Sequence, residues 1–181
     1  MTPPETVFLD RDGTLNVKAP EGDYVTSWEE FEFLPGALEA VRLLSDRGTR
    51  LIVVTNQRGI ALGRMTEEDL ADIHRRMLEA LTAAGGRIAG VYHCPHEAGT
   101  CDCRKPEIGM FLDAQRDFPD IRFEDAAVIG DSESDMLAAQ RIGAAAVLLG
   151  TAGVDGGTPG VRAEDSLLGA ARHLVGNQGR D

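Results

Sequence analysis

The sequence predicts an α/β fold, a three-layer doubly wound parallel sheet, on three observations. Short runs of consecutive apolar residues, Val7-Phe8-Leu9, Leu51-Ile52-Val53-Val54 and Ala126-Ala127-Val128-Ile129, read as strands buried on both faces. Strands alternate with segments of helical apolar spacing at least four times, which demands a parallel sheet with right-handed crossovers. The runs also end in polar residues: Asp10 and Asp12 after the first, Thr55 and Asn56 after the second, Asp131 after the third. In an open α/β sheet the C-terminal strand ends face a crevice rather than a packed helix, and ligand chemistry collects there.

The first strand runs directly into Asp10-Arg11-Asp12-Gly13-Thr14. Strand side chains alternate with period two, so Asp10 and Asp12 point to one side, close enough to share a cation, before Gly13 and Thr14 turn the chain. Such a pair suits the hydrolysis of a phosphate monoester, which is extremely slow in water. One carboxylate attacks phosphorus and the resulting aspartyl-phosphate is cleaved by water, while a second carboxyl protonates the leaving alcohol and then deprotonates the water. Asp10 is the candidate nucleophile and Asp12 the candidate acid/base. Two anions facing an anionic substrate repel it unless a divalent cation bridges them, so Mg²⁺ is expected. A turn with Asx hydrogen bonds would also place an Asp pair before Gly-Thr, and the pentapeptide by itself leaves both readings open.

The pentapeptide resembles the first motif of the haloacid dehalogenase (HAD) superfamily of phosphohydrolases, and the later motifs follow in order. Arg50 to Val54 ends in Thr55-Asn56-Gln57, Cys101 to Pro106 carries Arg104-Lys105, and Ala126 to Ile129 runs into Gly130-Asp131-Ser132-Glu133-Ser134-Asp135. With Cys94-Pro95-His96 and Cys101-Asp102-Cys103, residues 6 to 149 are similar to the heptose-1,7-bisphosphate 7-phosphatases. The resemblance implies a HAD-like Rossmannoid fold. A cap domain, usual in other members after the first motif or the Thr55 region, has no room in this chain, so a small loop must shield the site.

Residues 15 to 34 have no sustained period, and so long a loop suggests a lid. In the resembling enzymes this region covers substrate, so contacts are expected from around Lys18 to Tyr24, with Trp28, Phe31 and Phe33 fastening the loop to the body. Pro35-Gly36 opens a helix carrying Leu38, Val41 and Leu44 and stopped by Gly48. Thr55 and Asn56 then emerge where a hydroxyl and an amide can donate to phosphoryl oxygens. Gln57 is a further substrate candidate, and Arg58 either touches substrate or is merely solvated. Thr66 caps a helix with an acidic first turn, on which Leu70, Ile73, Met77, Leu78 and Leu81 line one face and His74 reads as a surface or boundary residue.

Ile88 to Tyr92 reads as the next strand, delivering Cys94, His96, Cys101 and Cys103. Three thiolates and an imidazole make a closed tetrahedral Zn²⁺ site, structural rather than catalytic, in a loop almost without apolar residues. His93 stays outside it. The loop ends in Arg104-Lys105-Pro106: Lys105 is expected on the phosphoryl oxygens and Asp10, Arg104 on a second anionic group, and Pro106 at the start of a helix running to Phe118. Asp131 is the third acidic residue expected, with Asp10 and Asp12, for Mg²⁺. Asp135, in the next helix's first turn, stands behind them, holding the cation's waters or favouring the helix dipole. Ser132 stands where the resembling enzymes commonly carry Lys or Arg, which weakens the substrate assignment but not the reaction class. Residues 144 to 149 form the last expected strand, 150 to 160 a Gly-rich mobile loop, 163 to 175 a terminal helix and 176 to 181 a frayed end.

Composition narrows the class. At 181 residues one domain is expected, with 43% hydrophobic and 27% charged residues near globular averages. A net charge of −12 argues against nucleic-acid and anionic-membrane partners. The absence of a long apolar run or leader-like N-terminus makes the cytoplasm the default, and a monomer is expected. The resemblance implies that the substrate is D-glycero-D-manno-heptose 1,7-bisphosphate, losing its 7-phosphate. The nearer rival is histidinol phosphate, whose ammonium Arg104 should repel. A noncatalytic zinc-stabilised binding module is the rival from another class, but it predicts a degraded first motif or no Lys105.

Overall fold

The computed structural model describes residues 3–150 and 160–176. Parallel strands form one six-stranded sheet in the order β3-β2-β1-β4-β5-β6. They are β1 (Thr6–Leu9), β2 (Arg50–Asn56), β3 (Gly90–Cys94), β4 (Ala126–Gly130), β5 (Ala145–Leu149) and β6 (Val161–Glu164). Among the described residues the helices are α1 (Ala37–Asp46), α2 (Glu67–Ala83), α3 (Gly109–Asp117), α4 (Glu133–Ile142) and α5 (Leu167–Leu174). None is long and apolar enough to cross a membrane.

The continuous apolar runs have a direct explanation. Val7, Leu9, Leu51, Val53, Ala127 and Ile129 join the core formed with α1, α2 and α5, while Phe8, Ile52, Val54 and Val128 join the one formed with α3 and α4. Alternate residues therefore meet helices on opposite faces, and the polar residues of β1 and β2, Thr6, Arg50, Thr55 and Asn56, are confined to the strand ends.

Strand order reverses at β1, which lies between β2 and β4. Leu9 pairs with Ile129, and the Asp10 N–H donates to Ile129 O at 2.9 Å, so Asp10 and Asp131 leave the sheet side by side. A crevice at such a reversal is where open α/β sheets bind ligands.

The segment between β1 and α1 is fastened by its aromatics. Trp28 and Phe31 stack at 5.0 Å, Phe33 meets Phe31 edge-on at 5.0 Å, and the three pack against the α1 side of the core. The Val17 N–H donates to Glu32 O at 2.8 Å, which closes the loop at its base.

Three boundaries differ from expectation. The third strand is Gly90–Cys94, two residues later than expected, so Cys94 itself is in the sheet opposite Asn56. Pro106 precedes α3 rather than opening it. The Lys105 N–H is taken by Asn56 Oδ1 and the Gly109 N–H by Asp102 O, and helical bonding starts only after these tertiary bonds. At the C-terminal side, 161–164 form the edge strand β6 and the helix begins at Leu167, capped by Ser166. An edge strand reading Val-Arg-Ala-Glu carries too little apolar pattern to announce itself. The expected loop at 151–159 and the end at 177–181 lie outside the described residues.

Candidate active site

The strand ends deliver a cluster of opposite charges. Lys105 Nζ donates to Asp10 Oδ1 at 2.8 Å, to Asp135 Oδ1 at 2.5 Å and to Val54 O at 2.8 Å, with only 2% of its side chain exposed. Burial works against the ammonium, but the Asp10 and Asp135 carboxylates outweigh it and raise the Lys105 pKa. Asp10 is pushed up to about 7, chiefly by burial and with help from Asp135, against the pull of Lys105. Asp135 is fully buried and also accepts from the Ser132 hydroxyl and N–H.

Glycines make this crowding possible. Gly13 has φ +88°, and a Cβ there would overlap the Asp131 carboxylate; a Cβ on Gly130 would overlap that of Asp135. Only glycine adopts such a φ without strain while letting a neighbour approach so closely.

One carboxylate oxygen from each of Asp10, Asp131 and Asp135 lies within 4.8 Å of the others, an arrangement that could hold a metal ion. Asp131 Oδ1 is buried without a hydrogen-bond partner among the described residues, while its Oδ2 accepts from Lys18 Nζ at 2.8 Å. An all-oxygen donor set with an orphaned carboxylate oxygen fits a hard divalent cation. Two of these residues, Asp10 and Asp131, belong to the expected set of Asp10, Asp12 and Asp131, while the Asp12 carboxylate is turned to Arg11, Asn16 and Gln57.

Asp12 Oδ2 accepts from Gln57 Nε2 at 2.8 Å and Oδ1 from Asn16 Nδ2 at 2.9 Å, while Arg11 approaches both oxygens. Burial would raise its pKa, but the Arg11 charge and these hydrogen bonds outweigh burial and hold it below the usual carboxylate range. Asp12 thus stays beside Asp10 as a separate, ionised carboxylate.

The Cys-rich loop sets the height of Lys105. Sulfur or nitrogen atoms of Cys94, His96, Cys101 and Cys103 lie within 4.8 Å of one another, and Cys94 Sγ is 3.0 Å from Cys103 Sγ and 3.5 Å from Cys101 Sγ. Three thiols and one imidazole nitrogen around a single point match a closed structural zinc site and could hold that ion. His93 is not in the group; its Nε2 meets Glu67 at 2.9 Å.

Asn56 and Gln57, expected at the substrate, are both engaged within the protein. Asn56 Nδ2 donates to Lys105 O at 3.1 Å and its Oδ1 accepts from Lys105 N–H at 3.0 Å, so its amide clamps the backbone that carries Lys105. Gln57 is 1% exposed, and its Nε2 bridges Asp12 to Thr55 Oγ1. Arg58 is half-buried and pairs with Glu97 at 3.4 Å, tying its loop to the Cys-rich one. Arg104 keeps Nη1 buried without a partner among the described residues, one position before Lys105. Lys18 and Tyr24 line a cleft of ≈ 620 Å³ with Arg64.

Behind this cluster lie two buried groups, Arg11 and His74, the latter expected at a surface or boundary position. Arg11 is 0% exposed, and Nη1 lies 3.3 Å from the Nε2 of His74, which is itself buried. Period two, which put Asp10 and Asp12 on one side, also sends Arg11 the opposite way and could have flagged a buried cation. His74 lies four residues from both Leu70 and Leu78, a spacing that could have flagged a buried ring.

Comparison with known proteins agrees with this geometry. The HAD-hydrolase-like family model matches residues 102–165. The D-glycero-alpha-D-manno-heptose-1,7-bisphosphate 7-phosphatase of Mycobacterium bovis is 40% identical over 162 residues, 89% of this chain and 85% of that one. The D-glycero-beta-D-manno-heptose-1,7-bisphosphate 7-phosphatase of Vibrio cholerae is 40% identical over 151 residues, 79% of each. Among solved structures, D,D-heptose 1,7-bisphosphate phosphatase from B. bronchiseptica, complexed with magnesium and phosphate, has a TM-score of 0.86 at 32% identity, over 94% of this chain and 98% of that one. With these likenesses spanning most of both chains, and the strand-end carboxylates converging at the sheet reversal, the chain belongs to the heptose-1,7-bisphosphate 7-phosphatase family of HAD phosphatases.

Proposed function

We propose that this protein is a Mg²⁺-dependent phosphomonoesterase that removes the 7-phosphate of D-glycero-D-manno-heptose 1,7-bisphosphate through an aspartyl-phosphate on Asp10. The observation that carries this reading is the buried 2.8 Å contact between Lys105 Nζ and Asp10 Oδ1, flanked by Asp131 and Asp135 at the end of β1. A carboxylate held against a fixed cation, beside two more carboxylates, is a nucleophile prepared for a phosphoryl group.

In the first half-reaction an Asp10 oxygen bonds to phosphorus as the ester oxygen leaves, and Asp12, ionised at rest, gives that oxygen a proton taken up from solvent or from the substrate phosphate on binding. In the second, water bonds to phosphorus, its proton passes to Asp12, and Asp10 is released. Lys105 and the Thr55 hydroxyl stabilise the phosphoryl oxygens, whose charge is spread in the transition state. Asp10 and Asp131, with Asp135 behind them, would hold Mg²⁺, and the ion would supply positive charge favouring ionised Asp10 despite its burial. Cys94, His96, Cys101 and Cys103 would hold Zn²⁺, which would fix the loop that ends in Lys105. Arg104, with a buried donor lacking a partner among the described residues, suits a second phosphate better than an ammonium.

The test is phosphate release from both anomers of heptose 1,7-bisphosphate and from histidinol phosphate. A preference for one bisphosphate of more than about a hundredfold in kcat/KM, roughly 2.7 kcal/mol, is expected. Preference for histidinol phosphate would overturn the substrate and keep the mechanism. Asp10→Asn should abolish turnover with zinc content unchanged, and near-normal activity would remove Asp10 from the nucleophile's role.

A further inference from the structure

Asp12 is held from behind by a buried chain of groups that the mechanism above does not use. Arg11 Nη2 donates to Asp12 Oδ1 at 2.9 Å and Nε to Oδ2 at 3.2 Å, while Nη1 points the other way, to His74 Nε2 at 3.3 Å. The Arg11 side chain is 0% exposed, whereas that of Asp12 is 22% exposed. A guanidinium can only donate, so Nε2 of His74 must be the acceptor and the ring proton sits on Nδ1. Edge-on contact with His93 at 6.0 Å holds the ring further, and His93 is anchored by Glu67 on the first turn of α2.

A buried guanidinium is a poor way to stabilise a core, since well-packed apolar residues of similar volume often do as well or better. Its planar fork does, however, grip a carboxylate in one orientation. His74 holds the Nη1 end of that fork, over the Phe31 ring whose centroid lies 6.0 Å from Arg11 Cζ. Without an acceptor for Nη1, the guanidinium must turn to find another partner, and the two bonds to Asp12 cannot both survive the turn.

We propose that His74 and Arg11 are a positioning relay for Asp12: α2 orients His74, His74 orients Arg11, and Arg11 holds the acid/base carboxyl in its proton-transferring pose. This rests on the phosphatase reading with Asp12 as acid/base. His74 and Arg11 are both buried, and among the described residues neither is a hydrogen-bond partner of Asp10 or Lys105. The relay therefore governs the step in which the proton leaves Asp12 for the ester oxygen as the bond from phosphorus to that oxygen breaks and the bond to Asp10 forms.

The discriminating measurement is leaving-group release in the first turnover, with heptose 1,7-bisphosphate and with p-nitrophenyl phosphate. The sugar alkoxide needs the proton from Asp12, and nitrophenolate departs without it. In His74→Leu, release of the sugar should slow by about tenfold or more, nitrophenolate release by less than about threefold, and KM should change little. His74→Gln, whose side-chain oxygen can still accept from Arg11, should recover most of the loss. Arg11→Lys keeps the charge but lacks the fork, and should repeat the His74→Leu pattern.

Equal slowing with both substrates, failure of His74→Gln to recover, or an unchanged rate in His74→Leu would each overturn the relay. No release from either substrate by the unmodified protein would overturn the phosphatase reading, and the relay with it.

Discussion

Lys105→Met replaces the buried ammonium with a side chain of similar length and no charge. Lys105 is 2% exposed in its side chain, and its partners Asp10 and Asp135 are 11% and 0% exposed, so solvent cannot screen what is left behind. Removing one partner of a buried ion pair costs about 3–5 kcal/mol because the other charge stays buried. Here two carboxylates and the Val54 carbonyl lose their shared donor together. For a domain of this size each kcal/mol moves Tm by about 2–4 °C, so a drop of roughly 6–20 °C is expected without added Mg²⁺. Added Mg²⁺ supplies another positive charge to the carboxylates and should return part of that drop. Activity should fall further than stability, because loss of a phosphoryl-stabilising donor alone costs about 10²–10³ in kcat. Thermal unfolding followed by circular dichroism near neutral pH, with and without Mg²⁺, and phosphate release at saturating substrate read both effects. A Tm loss under about 2 °C without Mg²⁺, or a larger loss with it, would refute the electrostatic argument.

Gly13→Ala should lower stability by about 1–3 kcal/mol and kcat by about tenfold or more, read by urea unfolding and phosphate release, because a Cβ at φ +88° is strained and displaces the Asp131 carboxylate. Cys101→Ser should lower zinc content, measured by metal analysis, and reduce kcat through a loosened Lys105. His74 provides a pH test. Burial first, then the Arg11 charge and His93, push it down to about 3, below the 6.5 of an unfolded histidine. The stability this ring contributes is therefore present above about pH 6.5 and lost as pH falls toward about 3. His74→Gln should flatten the stability curve over that window by roughly 2.7 kcal/mol at about pH 4.5, measured by urea unfolding, and an unchanged slope would contradict a buried neutral ring.

What could be read in the chain was local. Asp10, Thr55 and Asp131 follow apolar runs whose length and continuity identify buried strands, and a strand end in an open α/β sheet is a ligand position before any contact is known. Cys94, His96, Cys101 and Cys103 fall within ten residues, so their meeting required no long-range information. The edge strand β6 was missed because it packs too little to leave a pattern. Asp135 was read as a helix-dipole or water-holding residue because only the approach of Lys105, thirty residues away in the chain, turns it into a buried partner.

The alternation of strands and helices, the carboxylates at their ends, the lysine and the cysteine cluster are written in the chain, since each depends on spacing within a few residues. Which polar side chains bond to one another across the strand ends follows from the packed fold alone. Asn56 and Gln57 emerge beside Thr55 yet turn to Lys105 and to Asp12, and Arg11 turns from the crevice to meet a histidine 63 positions away. A buried polar group takes whatever partner the packed chain brings within about 3 Å, and that partner is set by how helices and loops close over the sheet.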